Sequence, residues 1–328
     1  MCSRKPRVRP GTVTGQAQAR LARDRLAPRP KPKAKPAGAP GKRRSPRAGS
    51  VMVRREHRSV EDGYEHELVP GIHASDDARR LAQELAFATA RLTQLREDPP
   101  GLLGEAQAAT DREEGLWTLF LVAYLSPLED MEDPFAVIDE ARTTWSGGEL
   151  PRLDGVVLGP RAAHDPRRGT DTLVAYRARA AKAGGQQAML SGEASLTPGR
   201  RFDRAFETLS LPRFARVARY EFLTLAGGIG LLDVQASSLL LASAEALDPT
   251  LLAAKRIFGI GDAINLQRRA SELLQAVQVT PAALDLALVN WGRPPEDRIT
   301  AGSRVPEDAD AQARVLTVLG LGAADEPD

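Results

Sequence analysis

FGIGDAINLQRRASELL (258–274) and LDLALVNWG (284–292) are the stretches whose reading decides how this chain folds. In the first, Gly259 and Gly261 make a turn that delivers Asp262 to the mouth of a helix, and Leu266, Ala270, Leu273 and Val277 then recur at helical spacing. An Asp at that place is what a helix N-cap looks like, and it is also a carboxylate held at an open turn. The second stretch, opened by Thr280 and Pro281, puts Leu284, Ala287, Leu288 and Trp291 on one helical face. Asp285 falls between Leu288 and Val289 on that helix, and Asn290 between Leu286 and Ala287. Both polar groups are therefore expected to be desolvated. Desolvation raises a carboxyl pKa unless cations or donors compensate it, and such groups concentrate at active sites. Asp262, Asp285 and Asn290 are the candidate catalytic residues; a structural pairing of Asp285 with Arg268 or Arg269 is the competing reading.

Working outward, the 328 residues have room for one or two domains with a real core. Aromatics are only 5% while Ala and Leu abound at three- and four-residue spacing, so an all-α fold is expected. The single cysteine, Cys2, removes disulfides, thiolate zinc sites and cysteine-ligated clusters from consideration. The four histidines (57, 66, 73 and 164) have no metal spacing and read as surface or loop residues, so neither a metal nor a cofactor is expected. Apolar runs such as Leu116–Leu125 fall well short of the roughly 20 residues that span a bilayer, and no secretory signal follows the basic start. A cytoplasmic protein without a membrane partner is the expectation; its oligomeric state is not legible.

The net charge of +2 hides an asymmetry: residues 1–50 balance at +14 and the remainder at −12. Residues 1–55 read as a disordered basic tail rich in Pro and Ala. It is a nucleic-acid-binding arm, a passive extension, or a stretch ahead of a true start at Val51, Met52 or Val53. A helical body follows over 60–297, then a C-terminal helix and polar tail over 298–328. Within the body, helices are expected at 75–97 (capped by Ser75), 113–125, 134–141, 171–183, 200–209, 212–225, 231–246, 249–257, 262–277 and 280–291, with a last one at 308–319. The total is nine to eleven. Residues 145–170 read as a long functional loop with a short strand at Val156–Leu158.

Two glycine turns, AGGIG (226–230) and FGIG (258–261), are candidate phosphate sites through backbone N–H groups, with Gly228, Gly230, Gly259 and Gly261 as the residues involved. Arg216 and Arg219 close a run of six arginines from Arg200 that reads as a basic face, and Arg268 and Arg269 lie one turn beyond the second glycine pair. These four arginines are candidate phosphate clamps.

Two helices joined by an hGhG turn, an Asp-led helix and an apolar helix ending in glycine together resemble the helix-hairpin-helix (HhH-GPD) superfamily of DNA glycosylases. Within it, FGxGD-x-x-NL-x-RRA followed by LDLALVNWG is most similar to the alpha-glutamyl/putrescinyl thymine pyrophosphorylases. The resemblance implies a compact multi-helix glycosylase-like fold whose hairpin binds a DNA phosphate. It allows two registers: AGGIG as hairpin with Asp262 as the acid, or FGIG as hairpin with Asp285, the second closer to the family's spacing. The implied activity is DNA base modification, replacing pyrophosphate on a 5-hydroxymethylpyrimidine with an amine to give a hypermodified thymine. DNA and a small amine are the implied partners. A base-excising glycosylase and a non-catalytic DNA- or protein-binding module are the alternatives. Leu232 and Ile264 stand where bifunctional glycosylases carry a lysine, so strand-cleaving chemistry is not implied.

Overall fold

The computed structural model describes residues 59–322, so the basic tail lies outside the described residues. All regular structure among the described residues is helical, and no strand forms, at 156–158 or elsewhere. The α-helices are α1 (Ser75–Glu97), α2 (Leu102–Ala108), α3 (Arg112–Leu125), α4 (Ala136–Ala141), α5 (Asp171–Ala183) and α6 (Gln186–Leu190). They continue as α7 (Pro198–Thr208), α8 (Arg216–Gly228), α9 (Pro249–Phe258), α10 (Ala263–Val277), α11 (Pro281–Trp291) and α12 (Ala309–Val318). Among the described residues no single helix is long and apolar enough to cross a membrane; α10 and α11 reach that length only when taken together, and they are bent by 108°.

Two apolar clusters organise the body. The first gathers α2, α3 and α5 to α8 with the segment 231–236. Every residue of α3 from Gly115 to Leu125 is buried, which makes it the axle of that cluster. The second gathers most of α1 with α9 to α12, Leu239 and Leu241. Here α11 is the axle, buried from Ala283 to Trp291. α1 serves both clusters, because Leu95 near its end packs with the first.

The helix boundaries follow local chemistry. Asp76 and Asp77 stand in the first turn of α1, where the dipole favours acids. Ser75, however, is the first helical residue rather than the cap, and its hydroxyl bonds the Asp62 carboxylate instead. Asp111, Thr197, Asp248, Asp262, Thr280 and Asp308 each accept a backbone N–H at the start of α3, α7, α9, α10, α11 and α12.

The largest departure from expectation is at 231–246, which is irregular apart from a 3₁₀ turn at Leu241–Ser243. Leu232, Val234 and Ala236 are buried while 233, 235 and 237 are exposed, a period of two that belongs to extended chain rather than helix. Its donors go to other elements: Leu232 N–H to the Ala226 carbonyl and Gln235 N–H to that of Pro198. The short helices α2 and α6 were not expected, so the described residues hold twelve α-helices rather than nine to eleven.

The LVPGI turn explains its own glycine. Gly71 N–H donates to the Ile257 carbonyl at 2.8 Å, where α9 ends, and a Cβ at Gly71 would stand 1.9 Å from the Arg256 carbonyl oxygen. Nothing lies within 4 Å of a Cβ placed on Gly261. Gly71→Ala is therefore expected to lower the unfolding free energy by about 1–3 kcal/mol or more, whereas Gly261→Ala stays within about 0.5 kcal/mol of wild type. Urea unfolding of the two variants checks the contrast.

Candidate functional site

An unbroken run of buried charged groups joins helices of both clusters. Arg216, fully buried at the start of α8, donates from Nε to Asp248 Oδ2 at 2.9 Å and from Nη1 to the Leu239 carbonyl at 2.9 Å. Its Nη2 reaches Thr250 Oγ1 at 2.7 Å and Asp285 Oδ1 at 2.5 Å. Asp285 takes further bonds from Thr250 Oγ1 at 3.0 Å and, on Oδ2, from Arg161 Nη2 at 2.9 Å. Arg161 Nη1 donates to Glu221 Oε2 at 2.9 Å, and Arg91 Nη2 pairs with Glu221 Oε1 at 2.5 Å. Three arginines thus face three carboxylates, and their formal charges cancel.

Burial pulls the Asp285 carboxyl up, but Arg216 and Arg161 beside it, with the hydrogen bonds from Arg216 and Thr250, outweigh burial and hold it below its ordinary 3.8. Glu221 follows the same logic: burial opposes ionisation, Arg91 and Arg161 prevail, and its pKa lies below 4.5. Burial works against the Arg216 cation too, and Asp285 and Asp248 more than compensate, so its pKa rises.

Arg161 reaches this run from the long loop. That loop is pinned to the end of α3 by Gly159 N–H to the Leu125 carbonyl and Arg161 N–H to Ser126 Oγ. A Cβ on Gly159 would meet the Pro127 carbonyl oxygen at 2.2 Å, so only glycine permits the approach. His164, read as a surface or loop residue, lies in this loop but is buried, with Nδ1 2.9 Å from the Tyr124 hydroxyl. Burial lowers its pKa, and Asp165 and Asp154 offset this only in part.

Beside the run lies a cavity of about 270 Å³, walled mainly by apolar side chains of α8, the 160–163 loop and the start of α9. Its charged residues are Arg161, Glu245, Asp248 and Arg293. Arg161 Nε is buried and has no hydrogen-bond partner among the described residues. Leu247, 80% exposed, stands among the lining residues.

The residues singled out from sequence fall into separate places. Asp285 is at the centre of the buried run and does not pair with Arg268 or Arg269. Asp262 is exposed and caps α10 through Asn265 N–H at 2.9 Å. Asn290 is fully buried: its Oδ1 accepts Ile299 N–H, and its Nδ2 donates to the Ile299 carbonyl and to Glu84, tying down the 298–301 segment. Arg216 and Arg219 turn inward, Arg219 lying 4.2 Å over the Phe206 ring, while Arg200, Arg204 and Arg213 stay exposed. The six arginines therefore do not share one face. Arg268 and Arg269 both pair with Glu272 on the outside of α10.

The two glycine turns also differ. Gly227 and Gly228 are the last turn of α8, and the amides of Ile229 and Gly230 return to the carbonyls of Leu225 and Gly227. Gly228 and Gly230 thus mark the acceptor end of a helix, the wrong sign for a phosphate, and extended chain follows. Gly259 and Gly261, in contrast, join α9 to α10 at an exposed helix N-terminus.

Residues 162–301 match the family model of the alpha-glutamyl/putrescinyl thymine pyrophosphorylases, clade 3. The family resemblance read at 258–292 is thus shown, over a stretch that begins well before those motifs. No curated protein and no solved structure matches the chain. The matched stretch contains Arg216, Glu221, Asp248, Thr250 and Asp285; Arg161 lies one residue ahead of it, and Arg91 outside it.

Sequence reasoning missed Arg91, Arg161, Glu221, Glu245, Asp248 and Arg293. Glu221 carried the same signal as Asp285, an acid inside an apolar helical run (ARYEFLTL). Nothing comparable marked the others.

Two outcomes follow. Asp285→Ala leaves Arg161 and Arg216 buried beside a missing partner and is expected to cost about 3–5 kcal/mol of stability in urea unfolding. Acidification should act in two stages. His164, lowered in the folded state, contributes stability that is full above its unfolded pKa of 6.5 and declines as pH falls below it. Asp285 and Glu221, also lowered, contribute stability present above their unfolded values of 3.8 and 4.5 and lost as pH falls beneath them. Glu84, raised by burial, runs the other way. Thermal unfolding from pH 7.5 to 3.5 should show both stages in wild type and only the lower one in His164→Gln.

Proposed function

We propose that this chain is a DNA base-modifying enzyme that replaces pyrophosphate on a 5-hydroxymethylpyrimidine with an amine, and that the cavity beside Arg161 receives the base. The observation that carries this reading is the coincidence of match and cavity. Of the fourteen residues lining the cavity, twelve lie within 162–301, and the other two, Pro160 and Arg161, adjoin that stretch. The family's name supplies the thymine and the pyrophosphate. The cavity's volume lies just under the range of about 300–1,000 Å³ that suits drug-sized ligands, and so fits one ring system.

The reaction needs three things from the protein. As the bond from the exocyclic methylene to the pyrophosphate oxygen breaks, its electron pair leaves with the oxygen. Arg293 and Arg161, the two cations among the lining residues, are the groups we assign to take up that charge. The amine's lone pair forms the new C–N bond, and the proton it then sheds requires an acceptor. Glu245, an exposed carboxylate on the cavity wall with no salt-bridge partner among the described residues, is the residue we assign to that step. Asp285 touches neither reactant; it is a positioning residue that fixes Arg161 and Arg216 from beneath.

The base has to leave the duplex to enter the cavity. The Gly259–Gly261 turn at the exposed start of α10 supplies backbone N–H groups for a DNA phosphate, in the manner of the helix-hairpin-helix superfamily. Asp262 serves there as the cap of α10, and Asn290 as the anchor of the 298–301 segment, whose Ile299 lines the cavity.

The test is an oligonucleotide carrying 5-(pyrophosphoryloxymethyl)uracil, incubated with the protein and either putrescine or glutamate. Pyrophosphate release and the mass of the product base are measured together. Glu245→Gln is expected to slow turnover about 10²–10⁴-fold with the thermal midpoint unchanged. Absence of turnover with both amines sinks the proposal, and release of a free base would establish excision in its place.

A further inference from the structure

A second and larger cavity, about 590 Å³, lies at the other end of α8. Its walls are the end of α1, the start of α3, the last two turns of α8 and the extended segment 230–236. We propose that it binds a small anion with a flat or apolar body, a carboxylate or phosphate ester rather than a bare inorganic ion.

Charge makes the first argument. Arg96 and Arg112 both line the cavity, and neither has a carboxylate partner among the described residues. The one lining carboxylate, Asp233, is already held by Arg201. The cavity therefore carries two uncompensated guanidinium groups in a body whose charge is otherwise strongly acidic. Paired donors of this kind suit carboxylate and phosphate oxygens.

The second argument is the mixed lining. The partly exposed Leu92 and Ala282, with Leu231, Leu232 and Val234 beside them, supply apolar surface for a body, in a volume within the usual range for small-molecule sites. Thr224 lines the same space, and its hydroxyl, inaccessible in the present rotamer, has no hydrogen-bond partner among the described residues; rotation about χ1 would present it to a ligand. Buried hydroxyls without partners are few in folded proteins and call for a reason; a ligand oxygen supplies one here.

The third argument separates this cavity from the base-modifying site. Leu92, Arg96 and Arg112 lie outside the family-matched stretch 162–301, whereas the first cavity is lined almost wholly from within it. None of the residues lining the first cavity lines the second.

Calorimetric titration of the full chain with phenyl phosphate, benzoate, benzamide and inorganic phosphate tests the proposal. Saturable binding of phenyl phosphate or benzoate is expected, weakened at least about tenfold in an Arg96→Gln/Arg112→Gln double variant. Both arginines are exposed, so the fold tolerates their loss. Thr224→Val should weaken the same ligand more mildly. Preference for phenyl phosphate identifies a phosphoryl ligand, and preference for benzoate a carboxylate. The proposal is overturned by no saturable binding below about 10 mM, by equal binding in the double variant, or by equal binding of benzamide. It is overturned equally if inorganic phosphate binds as tightly as phenyl phosphate.

Discussion

The contact on which the rest of this structure depends is the pairing of Arg216 with Asp285. Each is almost wholly inaccessible, and each stands on a helix whose buried residues are mostly apolar. An isolated charge in such a place is strongly disfavoured, so the start of α8 and the first half of α11 must come close enough for the two to pair, with Thr250, Asp248 and the Leu239 carbonyl completing the guanidinium's bonds. That requirement fixes the start of α9, because Asp248 is at once the partner of Arg216 Nε and the N-cap of α9 through Leu251 N–H. One carboxylate therefore sets a helix boundary and a buried ion pair.

The same requirement propagates outward. Asp285 has a second oxygen to satisfy, and it is met by Arg161 from a loop that its own backbone bonds already pin to the end of α3. Arg161 in turn needs Glu221, and Glu221 needs Arg91 on α1. A well-packed apolar substitute for such a run can be equally stable. What the ionic version adds is specificity of position: five separate chain segments are held at hydrogen-bonding distance, and Arg161 is fixed among the residues that line the smaller cavity.

How much of this could be read in advance follows from the range of the interactions involved. Helices came through because their signals are local: Asp262, Thr280 and Asp308 cap what they were expected to precede, and α3 and α11 were legible as helices without a polar face. Asp285 stood out for the same reason, since its apolar neighbours are its own helix. Its partners did not, because Arg216 and Arg161 are 69 and 124 residues away in sequence. Arg216 was read as an exposed phosphate clamp because a wheel cannot say which side of a helix another helix will cover. The segment 231–246 misled because leucines at adjacent and alternate positions satisfy a helical and an extended pattern alike; the destination of the backbone donors decided between them. The glycine turns misled in part for a related reason. GGIG and GIG look alike in sequence and each follows the end of a helix, but extended chain comes after the first whereas the second leads into the N-terminus of α10, where the dipole favours an anion.

The two cavities gain meaning from their places along α8. Ala218 lines one and Thr224 the other, about 9 Å apart along the helix axis. Between them sits Glu221, held from one side by Arg161, which lines the first cavity, and from the other by Arg91, the neighbour in sequence of Leu92 in the second. The body's negative charge is thus no guide to what it binds: the cations are sorted, some consumed in the buried run and a few left at cavity walls with no carboxylate partner among the described residues. An acidic surface can coexist with anion-accepting sites when the arginines that serve them are held by the fold rather than spread over it. The buried run does that holding, and for this reason the interior charges of this protein say more about its chemistry than its overall balance does.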